Sequence, residues 1–168
     1  MASEWELQSG DNPGEQTTTT KLNNNDKCRA YKSGGQSLNS LSYDKIELEV
    51  ETYDPNSIFN TGTYRCIPTT EGYYLVNACL SFINVIVDAK YWVAMIYKNG
   101  AVVAAKQSST TNASGYTATQ GVVSTIVYMN GTTDYLELYG VHNFGGAGAV
   151  NNDSNFTYMS IHRLSYSS

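Results

Sequence analysis

The sequence predicts an all-β protein, specifically a jelly-roll sandwich built from two antiparallel sheets. Short runs rich in aromatic and β-branched residues recur from Cys28 to Leu164, and clusters of Gly, Pro and Asn separate them. No stretch of helical periodicity has a convincing length, and no internal repeat is present. The chain of 168 residues is long enough for one domain with a core of its own. Eight to ten such short strands are typical of a sandwich.

The first half of the chain contains the clearest alternating strand. After a first predicted strand at residues 28–32, residues 45–51 alternate strictly between apolar and charged side chains. Because successive side chains of a strand point to opposite faces, this pattern predicts that Ile46, Leu48 and Val50 point into the core. The three glutamates between and after them are predicted to face solvent.

The second half contains the strongest local turn signal. Asn99-Gly100 separates two apolar runs, which is the pattern of a tight β-hairpin. Loops are predicted at residues 108–116 and around the glycine-rich segment 145–149. The remaining predicted strands are residues 74–87, 91–98, 101–105, 122–129, 135–139 and 156–164.

Residues 1–27 differ in composition from residues 28–168, and we predict an extended N-terminal arm followed by the jelly-roll domain. The arm is dense in turn formers and polar residues, so it cannot bury enough apolar surface to order itself. Trp5 and Leu7 are the large apolar side chains near its tip. Two interpretations stay open: a disordered tail, or a docking arm that anchors the domain to a partner through these two residues.

Composition and charge exclude several classes of function. The net charge of -5 and the absence of a Lys/Arg cluster argue against nucleic-acid binding. No apolar run approaches the ~20 residues that a membrane span requires. Residues 1–6 are acidic and lack the basic and apolar regions of a secretory signal. We therefore expect synthesis in a cytoplasm and no membrane partner.

The sequence contains no catalytic motif, and we expect no enzymatic activity and no catalytic residues. His142 and His162 are far apart in sequence, and no Gly-x-Ser-x-Gly elbow or phosphate-binding glycine loop is present. The glutamates of residues 47–51 lie on one face of one strand, which is typical of a solvated surface.

The three cysteines, Cys28, Cys66 and Cys79, have no metal-type spacing. Free buried thiols that pack as small apolar groups are the favoured interpretation. One disulfide plus one free cysteine is the alternative.

One segment is more specific than a generic sandwich. Residues 59–76 combine Phe59, Gly62, Pro68, Gly72 and Tyr74 at characteristic spacings. This order resembles the signature of the C1q-like (C1q/TNF-type) globular head. The resemblance extends over roughly residues 28–165 and includes the hairpin at 98–100 and the strand after Asp134. Met159 and Ser160 depart from the pattern of the family's last strand, and no collagen-like Gly-x-y stalk precedes the head.

The resemblance implies a homotrimer of jelly rolls packed around a threefold axis. Leu136 and Leu138 are predicted to face the core, so the alternating residues point outward and become candidates for the trimer interface. Some heads of this family hold calcium with loop carboxylates, yet Asp88, Asp134 and Asp153 form no calcium motif. We therefore expect no metal site and no cofactor, and calcium held by loop oxygens is the alternative. The interface candidates are Tyr128, Tyr135, Glu137 and Tyr139.

The sequence is most similar to heads of this type in bacteriophage and prokaryotic virion structural proteins, notably at residues 29–31, 40–46 and 160–164. The resemblance implies a non-enzymatic virion surface protein, either a capsid decoration trimer or a head fibre. The arm would fasten it to the capsid or to another virion protein.

Two other functions stay open. The trimer could be the receptor-binding tip of a phage fibre that recognises a cell-surface glycan, with Tyr116, Asn143 and Phe144 as candidate ligand-loop residues. It could also be a secreted C1q-like lectin, against which the missing signal counts.

Overall fold

The computed structural model describes residues 26–85, 89–110 and 117–165, and within these ranges it contains thirteen β-strands and no helix. The strands are β1 Lys27–Tyr31, β2 Ser37–Leu38, β3 Asp44–Lys45, β4 Val50–Tyr53, β5 Phe59–Asn60, β6 Arg65–Cys66, β7 Glu71–Val85, β8 Tyr91–Lys98, β9 Ala101–Ser109, β10 Thr117–Asn130, β11 Leu136–His142, β12 Gly148–Val150 and β13 Tyr158–Ser165.

The strands form two antiparallel sheets that pack face to face. Sheet one has the order β2-β12-β7-β13-β1-β4, with β10 pairing on β7. Sheet two has the order β5-β6-β11-β8-β9, with β3 pairing on β11. Each sheet takes strands from both halves of the chain, as a jelly roll does. The predicted all-β sandwich of two antiparallel sheets is confirmed.

The core lies between the sheets and follows directly from strand alternation. On β7, Tyr74, Val76 and Ala78 are fully buried, and on β11 Leu136 and Leu138 are fully buried. Full burial of a side chain of the size of Val or Leu contributes about 1.5–3 kcal/mol each. The inward direction predicted for Leu136 and Leu138 is confirmed.

The segment that was predicted as one strand at residues 45–51 is instead a crossover between the sheets. β3 pairs with β11 in sheet two, whereas β4 pairs with β1 in sheet one. Between them the backbone N–H of Ile46 donates to Leu138 O at 2.8 Å, and that of Glu49 donates to Tyr31 O at 3.1 Å. Ile46 and Leu48 are buried as predicted, while Val50 is only half-buried. The alternation therefore predicted the burial of Ile46 and Leu48, but the prediction of a single strand was wrong.

The predicted Asn99-Gly100 hairpin is confirmed. β8 and β9 are paired antiparallel, and Asn99 and Gly100 have φ values of 52° and 81°. Two consecutive positive φ angles are the requirement of the type I′ turn, which Asn-Gly satisfies with little steric cost.

Two boundaries differ from those expected from sequence. β1 begins at Lys27, and Asp26 is buried, so residues 26 and 27 belong to the folded domain and not to the predicted arm. The Asp26 carboxylate accepts hydrogen bonds from Thr69 N, Thr70 N and the Tyr74 hydroxyl at 2.9–3.0 Å. The glycine-rich segment predicted as a loop contains the short strand β12.

Candidate functional site

Sheet one presents an exposed apolar surface on the side away from the core. We call it the sheet-one face and define it by the outward residues of three adjacent strands, β10, β7 and β13. Five of its large hydrophobic side chains are exposed, and Ile126 is the most exposed of these five at 59%. Single exposed apolar residues are ordinary on soluble proteins, whereas a contiguous group across several strands marks an interaction surface. The sheet-one face comprises Tyr73, Leu75 and Asn77 of β7, Val122, Ser124, Ile126 and Tyr128 of β10, and His162 and Leu164 of β13.

The strand registers bring these side chains together. Tyr128 lies opposite Tyr73, and their rings meet edge to face with centroids 5.6 Å apart. One row further, Ile126 lies opposite Leu75, which in turn lies opposite His162. Apolar contacts of this kind between opposed residues are the unit by which sheets are stabilised, yet here they leave the outer side of each ring and methyl group in water.

The next row of the face is polar. Ser124 lies opposite Asn77, and its hydroxyl is 2.7 Å from Asn77 Oδ1. At the opposite end the Tyr128 hydroxyl lies 3.5 Å from a carboxylate oxygen of Glu71. Burial and the negative charge of Glu71 raise the pKa of Tyr128, so its hydroxyl stays protonated at neutral pH. The face therefore carries an apolar area with hydrogen-bonding groups on two sides, and the exposed Val122 lies beyond the polar row.

The outer side of sheet two is built differently, because its aromatic and charged side chains contact one another. We call it the sheet-two face and define it by Lys45, Arg65, Tyr97, Tyr135, Glu137 and Tyr139. The rings of Tyr97 and Tyr139 are stacked with centroids 4.1 Å apart. The guanidinium of Arg65 lies 4.0 Å above the ring of Tyr135.

Glu137 joins the charged members of the sheet-two face. It is only 1% exposed, and its Oε1 accepts hydrogen bonds from Arg65 Nε at 2.9 Å and from Lys45 Nζ at 3.2 Å. The hydrogen bond to Glu137 is the main reason that the pKa of Arg65 is raised. Burial, and then the charge of Glu137, raises the pKa of Tyr139. The face therefore contains a nearly buried carboxylate whose charge is compensated within the chain.

The four candidates for a trimer interface do not share one surface. Tyr128 lies on the sheet-one face, whereas Tyr135, Glu137 and Tyr139 lie on the sheet-two face. These three point away from the core as predicted. Contacts within one chain already cover them in part, because Tyr97 stacks on Tyr139, Arg65 lies over Tyr135 and Lys45 pairs with Glu137. Their role in an interface stays a prediction.

Of the candidate residues on the arm and in the loops, the structure describes Asn143 and Phe144. Trp5, Leu7 and Tyr116 lie outside the described residues. Asn143 Oδ1 accepts a hydrogen bond from Tyr91 N at 2.6 Å. Phe144 stacks on His142 with centroids 4.2 Å apart and meets Phe82 edge to face. Both loop side chains are thus engaged inside the chain, and their role in ligand binding stays a prediction.

Both histidines contact other residues of the chain. His142 is fully buried, with Nε2 lying 3.0 Å from Leu38 O and Nδ1 accepting from Phe144 N at 3.1 Å. His162 is exposed, and its Nε2 lies 2.8 Å from the Tyr53 hydroxyl. Within the described ranges, no three His, Cys, Asp or Glu side chains are grouped to hold a metal ion. The same residues include no helix with the length and hydropathy to cross a membrane.

Sequence reasoning missed most of the sheet-one face, although a signal was present. Residues 73–76 and 122–128 are apolar in both alternation phases, so one phase fills the core and the other must face outward. The exposed Tyr73, Val122 and Ile126 belong to that second phase. When a strand of a two-sheet sandwich is apolar in both phases, we expect a partner to cover the side of the sheet that points away from the core.

Comparison with known proteins identifies the fold. No family model matches the chain, and no curated protein matches it either. The chain is similar to the structure of Eiger TNF from S. frugiperda, with a TM-score of 0.65 and 10% identity over 86% of this chain and 95% of that chain.

Murine APRIL at pH 5.0 is similar with a TM-score of 0.60 and 10% identity, over 83% of this chain and 99% of that chain. Murine APRIL at pH 8.0 gives a TM-score of 0.60 and 8% identity over the same shares. At this level of identity the likeness shows the fold alone. The expected C1q/TNF-type jelly roll is thereby confirmed: the chain has a TNF-like fold.

Proposed function

We propose that this protein is a non-enzymatic, homotrimeric jelly-roll head on the surface of a virion, and that its subunits associate through the sheet-one face. The observation that carries this proposal is the contiguous apolar area around Tyr73, Ile126 and Tyr128, which the chain leaves exposed. The C1q/TNF-type head that the sequence resembles is a trimer, and the TNF-like fold is consistent with that architecture. The proposed head requires no cofactor.

The chemistry of the sheet-one face suits contact with copies of the same chain. Tyrosine rings contribute large contact areas and keep a hydroxyl available at the rim. Burial of Ile126 and Leu164 against neighbours would contribute about 1.5–3 kcal/mol each before ordering costs. A closed ring of three copies lets one face serve in every contact. The sheet-two face, whose side chains contact one another, stays outside in this arrangement.

The virion role rests on two features of the sequence. Residues 29–31, 40–46 and 160–164 resemble heads of phage structural proteins, and residues 1–25 have the composition of a tether. Trp5 and Leu7 anchor the tether to the capsid or to another virion protein. Three tethers on one trimer give avidity, because binding of one raises the local concentration of the others.

The oligomeric state tests the architecture. Light scattering of the full chain at micromolar concentration is expected to give about 55 kDa, three times the 18.4 kDa of one chain. A monomer at that concentration would refute the self-association surface and the trimeric head together.

Attachment tests the virion role separately. A chain without residues 1–20 is expected to form the same trimer and to lose binding to particles that lack the protein. Trp5→Ala in the full chain should weaken binding markedly, since Trp5 and Leu7 together supply roughly 3–5 kcal/mol before ordering costs. Thr18→Ala is the matched control and should bind normally. Full occupancy of particles by the truncated trimer would exclude the tether and place attachment on the jelly roll.

A further inference from the structure

Two of the three cysteines meet across the core. Cys28 lies on β1 of sheet one, and Cys66 lies on β6 of sheet two. Their Sγ atoms are 3.4 Å apart, and the two residues are 1% and 0% exposed. A disulfide has an S–S length of about 2.05 Å, so closure requires the sulfur atoms to approach by only about 1.4 Å. Both belong to the core cluster that fills the sandwich.

We propose that Cys28 and Cys66 form a disulfide site that links the two sheets when the protein meets an oxidising small-molecule disulfide such as oxidised glutathione. One protein thiolate attacks the S–S bond of the oxidant and releases one molecule of reduced thiol. The second protein thiolate then attacks the mixed disulfide and displaces the other thiol. Two protein thiols lose two electrons and two protons, and the oxidant is reduced to two thiols.

The surroundings of the pair favour a disulfide over the other uses of two cysteines. Zinc sites in proteins take three or four protein ligands, and the described residues offer no group of three potential ligands. Cys79 has a different environment, because strand alternation turns it toward the sheet-one face and the core cluster does not include it. The reaction is therefore selective for Cys28 and Cys66 and leaves Cys79 as a thiol.

The rate of the reaction depends on access. Burial, and then the hydrogen bond and charge of Cys28, raises the pKa of Cys66, so little of it is thiolate at neutral pH. Oxidation of the folded protein is consequently slow and proceeds through local opening of the short strands β5 and β6. Oxidation during folding is faster, since both thiols are then in water.

The test follows both routes with the full chain. Folded protein, and denatured reduced protein during refolding, are incubated in glutathione buffers of graded redox ratio, then alkylated under denaturing conditions. The expected product has lost two mass units and retains one alkylated cysteine, and an unreduced digest links the peptides of Cys28 and Cys66. The oxidised form should unfold about 5–10 °C above the reduced form.

Single cysteine variants identify which two residues form the disulfide. Cys79→Ser should still lose two mass units, whereas Cys66→Ala should not and should keep two alkylatable thiols. Three alkylatable thiols at every redox ratio on both routes would overturn the proposal. A bond to Cys79, or a stable glutathione adduct without loss of two mass units, would overturn it as well. The wild-type mass change decides the matter even if Cys66→Ala fails to fold.

Discussion

The outward-facing tyrosines of the two sheets differ in whether side chains of the same chain cover them. Each sheet carries tyrosines on the side away from the core, but on sheet two Tyr139 stacks on Tyr97 and Arg65 covers Tyr135. On sheet one, Tyr73 and Tyr128 touch only by an edge and stay exposed together with Ile126. An aromatic outer strand therefore indicates an interface only where the neighbouring strands do not supply its partners.

The largest expected effect is the loss of assembly when a charge is placed on the sheet-one face. Ile126→Asp should convert the trimer to monomer at micromolar concentration, because each interface would bury an unpaired carboxylate at a cost of several kcal/mol. Light scattering and native mass spectrometry report the change directly.

A matched substitution lies outside that face. Val102 on β9 is also an exposed β-branched residue, at 49%. Val102→Asp should leave the trimer intact and the thermal midpoint nearly unchanged. If Val102→Asp dissociates the trimer and Ile126→Asp does not, the trimer interface lies on the outer side of sheet two and not on the sheet-one face.

The second largest expected effect is a loss of stability that leaves the assembly of the trimer unchanged. Glu137→Ala should lower the free energy of unfolding by about 2 kcal/mol, because Lys45 and Arg65 lose the carboxylate that links β3, β6 and β11. The cations are partly exposed, so the loss is smaller than for a fully buried pair. Thermal unfolding measures it, with Glu51→Ala on exposed β4 as the control. A change of trimer mass would show that the sheet-two face also lies in the interface.

The third effect is a pH dependence confined to the sheet-one face. Burial, followed by the charge of Lys27, lowers the pKa of His162. The folded state therefore prefers the neutral ring. The contribution of His162 to stability is complete above the ordinary pKa near 6.5 and is lost as the pH falls below it. Protonation also puts a cation beside Lys27, its partner across β1 and β13.

Assembly should respond in the same pH window. We expect the dissociation constant of the trimer to rise about tenfold between pH 7 and pH 5, which corresponds to about 1.4 kcal/mol. Sedimentation at several concentrations measures it. His162→Gln should remove most of this dependence, and an unchanged slope in that variant would assign the effect to another group.

The smallest effect distinguishes the sequence-based interface from the structural one. Tyr139→Leu should cost about 0.5–1.5 kcal/mol of stability, the contribution of its stack on Tyr97, and should leave the trimer intact. Tyr97→Leu should cost a similar amount. Dissociation caused by Tyr139→Leu would restore the original prediction that Tyr139 lies at the trimer interface.

The sequence was informative about the fold because strand burial has a local signature. Asn99-Gly100 specifies its hairpin within four residues, and alternation placed Leu136 and Leu138 correctly. The crossover at Ile46 and Leu48 could not be predicted in this way. These two side chains are buried in either arrangement, and only the distant hydrogen-bond partner, Leu138 O for Ile46 N, decides which sheet the backbone joins.

The candidate site was less predictable because exposure depends on partners that are distant in sequence. Tyr139 is covered by Tyr97, 42 positions earlier, and the carboxylate of Glu137 is neutralised by Arg65, 72 positions earlier. No local pattern around residues 135–139 contains that information. Tyr73 and Ile126, by contrast, belong to strands that are apolar in both alternation phases, and this is a local signal.

The pairing of β1 with β13 has a consequence for the synthesis of the chain. These are the first and last of the described strands, and they lie side by side with Lys27 opposite His162. A ribosome releases β1 long before β13, so sheet one cannot close until β13 has been synthesised. Until then one long edge of β7 lacks its neighbour, and unpaired edges are the sites at which β proteins associate wrongly. We therefore expect sheet one to close only after β13 has left the ribosome, at the slow rates of domains rich in long-range contacts.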